Sequence, residues 1–155
     1  MYKKIFLFVF LIFLVNHCGF TPLYSNKSNS NVSITDLTMK GDRTINNYIK
    51  VNLYQLLNNS NEKQFTINVD TKYNKIVLSK DKTAKITEYE LSSTSVFEIS
   101  SNNKLIKKIT ISEKKNMNNI EDEFEEQKEE RIAKQNFAAT TSRKLITELS
   151  ILNDY

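Results

Sequence analysis

The 155-residue chain contains one cysteine, one histidine, one proline, two glycines and no tryptophan. With Cys18 alone, no intramolecular disulfide can staple the fold. His17 and Cys18 stand side by side at the end of an apolar leader. Cleavage before Cys18 and acylation of its thiol would leave no imidazole or thiolate for a zinc, copper or haem site. Gly19 and Gly41 are the only glycines, so there is no phosphate-cradling glycine loop, no GxSxG elbow and no EF-hand spacing. Glu88 and Glu90 have the residue type of a glycosidase pair, but in an alternating strand they share one solvated polar face. No catalytic constellation is left, and the chain reads as a non-enzyme without cofactor or metal.

Long hydrophobic runs are equally scarce. Ile5–Val15 is the longest, preceded by Lys3 and Lys4. It falls short of the ~20 apolar residues that cross a bilayer and has the form of a secretory signal peptide. A cysteine directly after such a run suggests a lipoprotein, with residues 1–17 removed, 18–31 as a lipidated tether and 32–155 as one domain. His17 stands where lipoprotein signals usually carry a small residue. Two other readings of the leader stay open: an uncleaved amphipathic anchor, or cleavage elsewhere with Cys18 a free thiol.

Charge is modest, formally +4, and supports no nucleic-acid partner. It is unevenly spread, since residues 121–155 hold nine carboxylates against five cations. Acids at 121–126 suit the positive end of a helix dipole at its N-terminus, which gives that run a structural reason.

Apolar spacing changes along the chain. Val32, Ile34, Leu37 and Met39 alternate with a slip of phase near Asp36, which predicts a strand with a bulge. Asp42 can cap a helix whose apolar residues Ile45, Tyr48, Ile49, Leu53, Leu56 and Leu57 step by three and four. Asn58–Asn61 would end it. Phe65, Ile67 and Val69 alternate, Lys72–Lys75 interrupts, and Ile76–Leu78 resumes. Asp81-Lys82 reads as a turn before a long strand, and Ser101-Asn102-Asn103-Lys104 is the clearest hairpin turn, because asparagine tolerates positive φ. Asn118 and Asn119 can cap a last helix, whose Ala138, Ser142, Leu145, Leu149 and Leu152 form one stripe. The expected fold class is α+β: helices over 43–58 and 120–152 pack on one face of a mostly antiparallel four-stranded sheet, with strands over 32–39, 64–79, 83–101 and 104–112.

The segment Cys18-Gly19-Phe20-Thr21-Pro22-Leu23-Tyr24 resembles the mature N-terminus of the lipopolysaccharide-assembly lipoprotein family, LptE. There a lipidated Cys-Gly-Phe is followed by a variable residue and Pro-Leu-Tyr. The order of elements is similar too, with two helices on a four-stranded sheet and a long final helix. The resemblance implies a lipid-anchored protein on the periplasmic side of the outer membrane. It further implies a role as plug and assembly factor of the β-barrel translocon LptD, and contact with lipopolysaccharide. Phe20 and Tyr24 would then lie at the membrane interface or pack onto the domain. An envelope lipoprotein with a ligand-binding or structural role and no barrel partner is the alternative. For phosphate contact the loop lysines are the candidates: Lys80 and Lys82 in one turn first, then Lys72 and Lys75, with Lys114 and Lys115 closing the last strand. The competing reading is that these lysines serve solubility and blunt the sheet edges.

Overall fold

The computed structural model describes residues 32–57 and 63–153. The leader, Cys18, the tether and the Asn58–Asn61 helix stop fall outside them. In chain order the elements are β1 (Val32–Gly41), α1 (Arg43–Asn52), α2 (Tyr54–Leu57), β2 (Lys63–Lys80), β3 (Ile86–Ser101), β4 (Lys104–Asn118) and α3 (Glu123–Asn153). The sheet runs β1-β2-β3-β4, with β1 parallel to β2 and the other two pairs antiparallel. A parallel pair needs a crossover, and α1 and α2 supply it. The fold is thus α+β with a mostly antiparallel sheet.

Each element has a local cause. The register of β1 shifts between Ile34 and Asp36, at the expected slip of phase. The Asp42 carboxylate accepts a hydrogen bond from the Ile45 N–H at 2.8 Å, capping α1. The helix pauses at Leu53 before α2, so the expected single helix is two. Asn102 and Asn103 have φ of 51° and 61°, the two positive values of a type I′ hairpin turn. Asn103→Gly is expected to hold or raise stability, by up to about 0.5 kcal/mol. Asn103→Val, with a branched side chain at positive φ, should lower it by about 1–2 kcal/mol. Urea midpoints of the two variants check this.

Three boundaries differ from expectation. β2, from Lys63 to Lys80, matches the strand expected over 64–79 but without the interruption, so Lys72–Lys75 is strand and not a connection. β3 starts at Ile86, after a turn in which the Asp81 carboxylate accepts from the Thr83 and Lys85 N–H groups at 2.8 and 2.9 Å. The Thr83 hydroxyl, which also donates to it, and then these bonds hold the Asp81 carboxyl below its usual pKa. β4 continues to Asn118, which places Lys114 and Lys115 inside the strand. Asp122, rather than Asn118 or Asn119, caps α3 by accepting from the Glu125 N–H at 3.0 Å.

Helices cover one face of the sheet. Ile45, Ile49, Leu53 and Leu56 meet Ala138, Leu145 and Leu149 of α3 above Phe65, Ile67, Val69, Phe97 and Ile99. A second cluster joins Leu91 and Met117 to Ala133 and Phe137, and Tyr73 packs against both. Ala133, Ala138, Thr141 and Ser142 are buried; their small side chains let α3 lie close to its neighbours.

Candidate functional site

Alternation leaves the opposite face polar and open. On it, Thr38 and Lys40 of β1 stand beside Asn68, Asp70 and Lys72 of β2, then Thr94, Val96 and Glu98 of β3, then Lys108 and Thr110 of β4. These ten residues with Val69 line a hollow of about 600 Å³ on this face. Lys108 spends its charge on Glu98 at 2.9 Å, as Lys114 does on Glu90 at 2.9 Å. Lys40 and Lys72 have no carboxylate within ion-pair distance among the described residues. Lys40 pairs in register with Asp70. Lys72 lies two residues further on, about 7 Å along and one strand away. They form a diagonal pair of exposed cations over hydroxyl and amide groups, an arrangement suited to a phosphorylated ligand.

The four lysines named from sequence are not brought together. Lys72 lies in the hollow. Lys75, three residues on, has the opposite parity and points under α3, where it donates to Glu126 and, at 3.2 Å, to Glu130. Its ammonium also sits 4.5 Å from the centre of the Tyr89 ring. Burial alone would lower the Lys75 pKa, but the two carboxylates hold it above its usual value. Lys80 ends β2 and Lys82 is in the following turn, both exposed, about 26 Å from Lys72 along the strand. Lys40 and Lys108 were not among the expected site residues. The signal for Lys40 was present, because it continues the polar parity of Thr38 one residue beyond the expected end of β1.

Lys75 belongs to a charged cluster between sheet and helix. Lys134 of α3 lies 3.2 Å from Asp42, 3.5 Å from Glu130 and 4.0 Å from the centre of the Tyr73 ring. Burial, then the Glu130 and Asp42 carboxylates, push the Tyr73 phenol far above its usual pKa. Burial would raise the Glu130 carboxyl, yet Lys75, Tyr73 and Lys134 together bring it below its usual range. A carboxyl depressed by folding stabilises above its unfolded pKa and loses that contribution as pH falls through the folded value.

No family model matches the chain, and no curated protein matches its sequence. Solved structures do share its fold. Rare lipoprotein B from Shewanella oneidensis superimposes with a TM-score of 0.58 at 11% identity, over 76% of this chain and 96% of that one. A minor lipoprotein from Acinetobacter baumannii gives 0.54 at 17% identity, over 76% and 94%. Lipoprotein B from Nitrosomonas europaea gives 0.53 at 12% identity, over 81% and 88%.

The two sets of lysines separate by experiment. Lys134→Ala would leave Asp42 and Glu130, with side chains 17% and 23% exposed, without their shared cation. A loss of about 2 kcal/mol is expected, reduced from the fully buried case by the residual exposure. Part of the acid-side pH dependence of stability should go with it. Lys72→Ala, on the open face, should change stability by less than about 0.5 kcal/mol. Urea titrations at pH 7 and pH 3 read both.

Proposed function

We propose that the protein is a non-enzymatic outer-membrane lipoprotein that plugs the lipopolysaccharide translocon LptD, helps it assemble and contacts lipopolysaccharide. One observation carries the reading: a domain with the fold of solved lipoproteins follows a leader that ends at Cys18-Gly-Phe-Thr-Pro-Leu-Tyr. The distribution of exposed apolar side chains supports the plug. Val51, Tyr54, Leu105, Ile106 and Ile151 gather at one end of the domain, and Ile76, Val77, Leu78 and Phe124 at the other. The waist between them exposes threonine, asparagine, lysine and carboxylate, which suits the polar lumen of a barrel. Lys40 and Lys72 would meet lipid A phosphate from the open face, and Lys80 and Lys82 from the far turn.

Purification of the tagged full-length protein from detergent-solubilised outer membrane tests the role, with a large β-barrel expected in the same fraction. Recovery without a barrel would favour the alternative, a small ligand-binding or structural envelope lipoprotein. Lipopolysaccharide binding, measured at low and high salt, locates the contact. Lys40→Ala with Lys72→Ala should weaken it several-fold at low salt and flatten its salt dependence, since each lysine meets phosphate as a screened point charge. If only Lys80→Ala with Lys82→Ala does so, the contact belongs to the far turn.

A further inference from the structure

The two apolar ends differ in their relation to the chain. β2 and β3 are antiparallel, and Thr66 pairs with Ser100 just before the Ser101–Lys104 hairpin closes. Val32 pairs with Lys63, and the Lys63 ammonium donates to the Leu152 carbonyl at 3.5 Å. The start of β1, the start of β2, the β3–β4 hairpin and the end of α3 therefore share one end. α1 and α2 return to it, because β2 restarts there parallel to β1. At the other end are the 81–85 turn and the start of α3, where Lys85 pairs with Glu121 and the Asn119 N–H donates to the Thr87 carbonyl at 2.8 Å. β2 spans 18 residues, so the ends lie about 55 Å apart.

The segment from Cys18 enters the domain at Val32, on the first of these ends. Fourteen residues of sequence separate the two positions, a reach of at most about 50 Å. This is the end that exposes Val51 at 70%, Leu105 at 55%, Ile106 at 47% and Ile151 at 46%, with Tyr54 at 65%. Lys50 and Lys104 are exposed beside them. We infer that this tether end docks on the bilayer interface, its aliphatic side chains at the headgroup boundary and Lys50 and Lys104 among anionic headgroups. The inference rests on the Cys18 anchor of the proposed function but not on the barrel. It gives the anchored protein, while no barrel holds it, an orientation with its long axis away from the surface and the far turn outermost.

The chain lacks tryptophan, so single reporters are free of background. Full-length lipidated protein with Val51→Trp or Ile106→Trp would be compared with Leu78→Trp or Phe124→Trp. Each would be reconstituted into phosphatidylethanolamine and phosphatidylglycerol vesicles carrying brominated acyl chains. Docking predicts that the tether-end reporters shift to the blue and are quenched while the far-end reporters are neither. Adding Leu105→Glu and Ile151→Glu should reverse the quenching of Val51→Trp without releasing protein from the vesicles. Flotation with the vesicles but no tether-end quenching would overturn docking and leave the anchor standing. A blue shift without quenching overturns it as well, and assigns the apolar end to the tether's own Phe20, Leu23 and Tyr24. Equal quenching of both ends would mean no preferred orientation, which also overturns it. Protein that fails to float removes the anchor, and docking with it.

Discussion

Cys18→Ser should weaken the protein's hold on the membrane while its domain stays folded. A single acyl chain binds a bilayer with K of only about 10⁴ M⁻¹, at about 0.8 kcal/mol per buried CH₂, whereas two chains hold stably. On the proposed reading a diacylated Cys18 would supply both chains, so its loss should abolish acylation and weaken membrane retention. The described core is built from residues 32–57 and 63–153 and contains no cysteine. The urea midpoint of the variant should therefore match that of the parent domain. Labelled palmitate reads acylation directly. Incorporation into the Cys18→Ser protein would place the lipid on another residue, and a precursor that does not accumulate under globomycin would argue against lipoprotein processing altogether.

Much of the fold was legible because alternation and turn chemistry agree with the tertiary solution. Val32, Ile34, Leu37 and Met39 carried the bulge in their spacing, and Asn102-Asn103 carried the hairpin in its tolerance of positive φ. The break at Leu53 was not legible, because Leu53 and Leu56 both enter the core and so keep a helical step through the interruption. A strand over 64–79 was expected, but that its Lys72–Lys75 stretch keeps the pairing was not legible. Lys72-Tyr73-Asn74-Lys75 looks like a polar connection when read alone. Its helix-facing members, Tyr73 and Lys75, are accommodated by Lys134, Glu126 and Glu130 on α3, more than fifty residues away.

The same long-range pairing explains why the lysine candidates divided. From sequence Glu126 reads as a complement of the helix dipole, and Glu130 follows it four residues on. Their positions on α3 bring them onto Lys75, which is thereby committed to structure. Parity decides the matter for Lys72: three residues from Lys75 in a continuous strand, it must face the other way. Once β2 is known to be unbroken, the sequence itself separates the two. Lys40 joins Lys72 only through the parallel pairing of β1 with β2, a contact that no local pattern encodes.

Gly41→Ala is expected to cost about 3 kcal/mol or more. Gly41 ends β1 with φ of +91°, and an ideal Cβ there would lie 1.9 Å from the carbonyl oxygen of Thr71. That oxygen is backbone in the middle of β2 and accepts the Asp42 N–H at 2.8 Å, so it cannot swing aside as a side-chain tip would. Positive φ alone costs an alanine about 1–3 kcal/mol, and relieving the collision must move β1 from β2 or break the Asp42 bond. Asp42 also caps α1 and holds Lys134 at 3.2 Å, so a displaced Asp42 would loosen the helix layer from the sheet. Against a total stability of about 5–15 kcal/mol, the urea midpoint should fall sharply. Lys40 immediately precedes Gly41 on the open face, and its displacement should weaken lipopolysaccharide binding even at temperatures where the variant remains folded. A midpoint within about 0.5 kcal/mol of the parent, the range of a neutral surface change, would show that the β1–α1 joint is not the close approach described here.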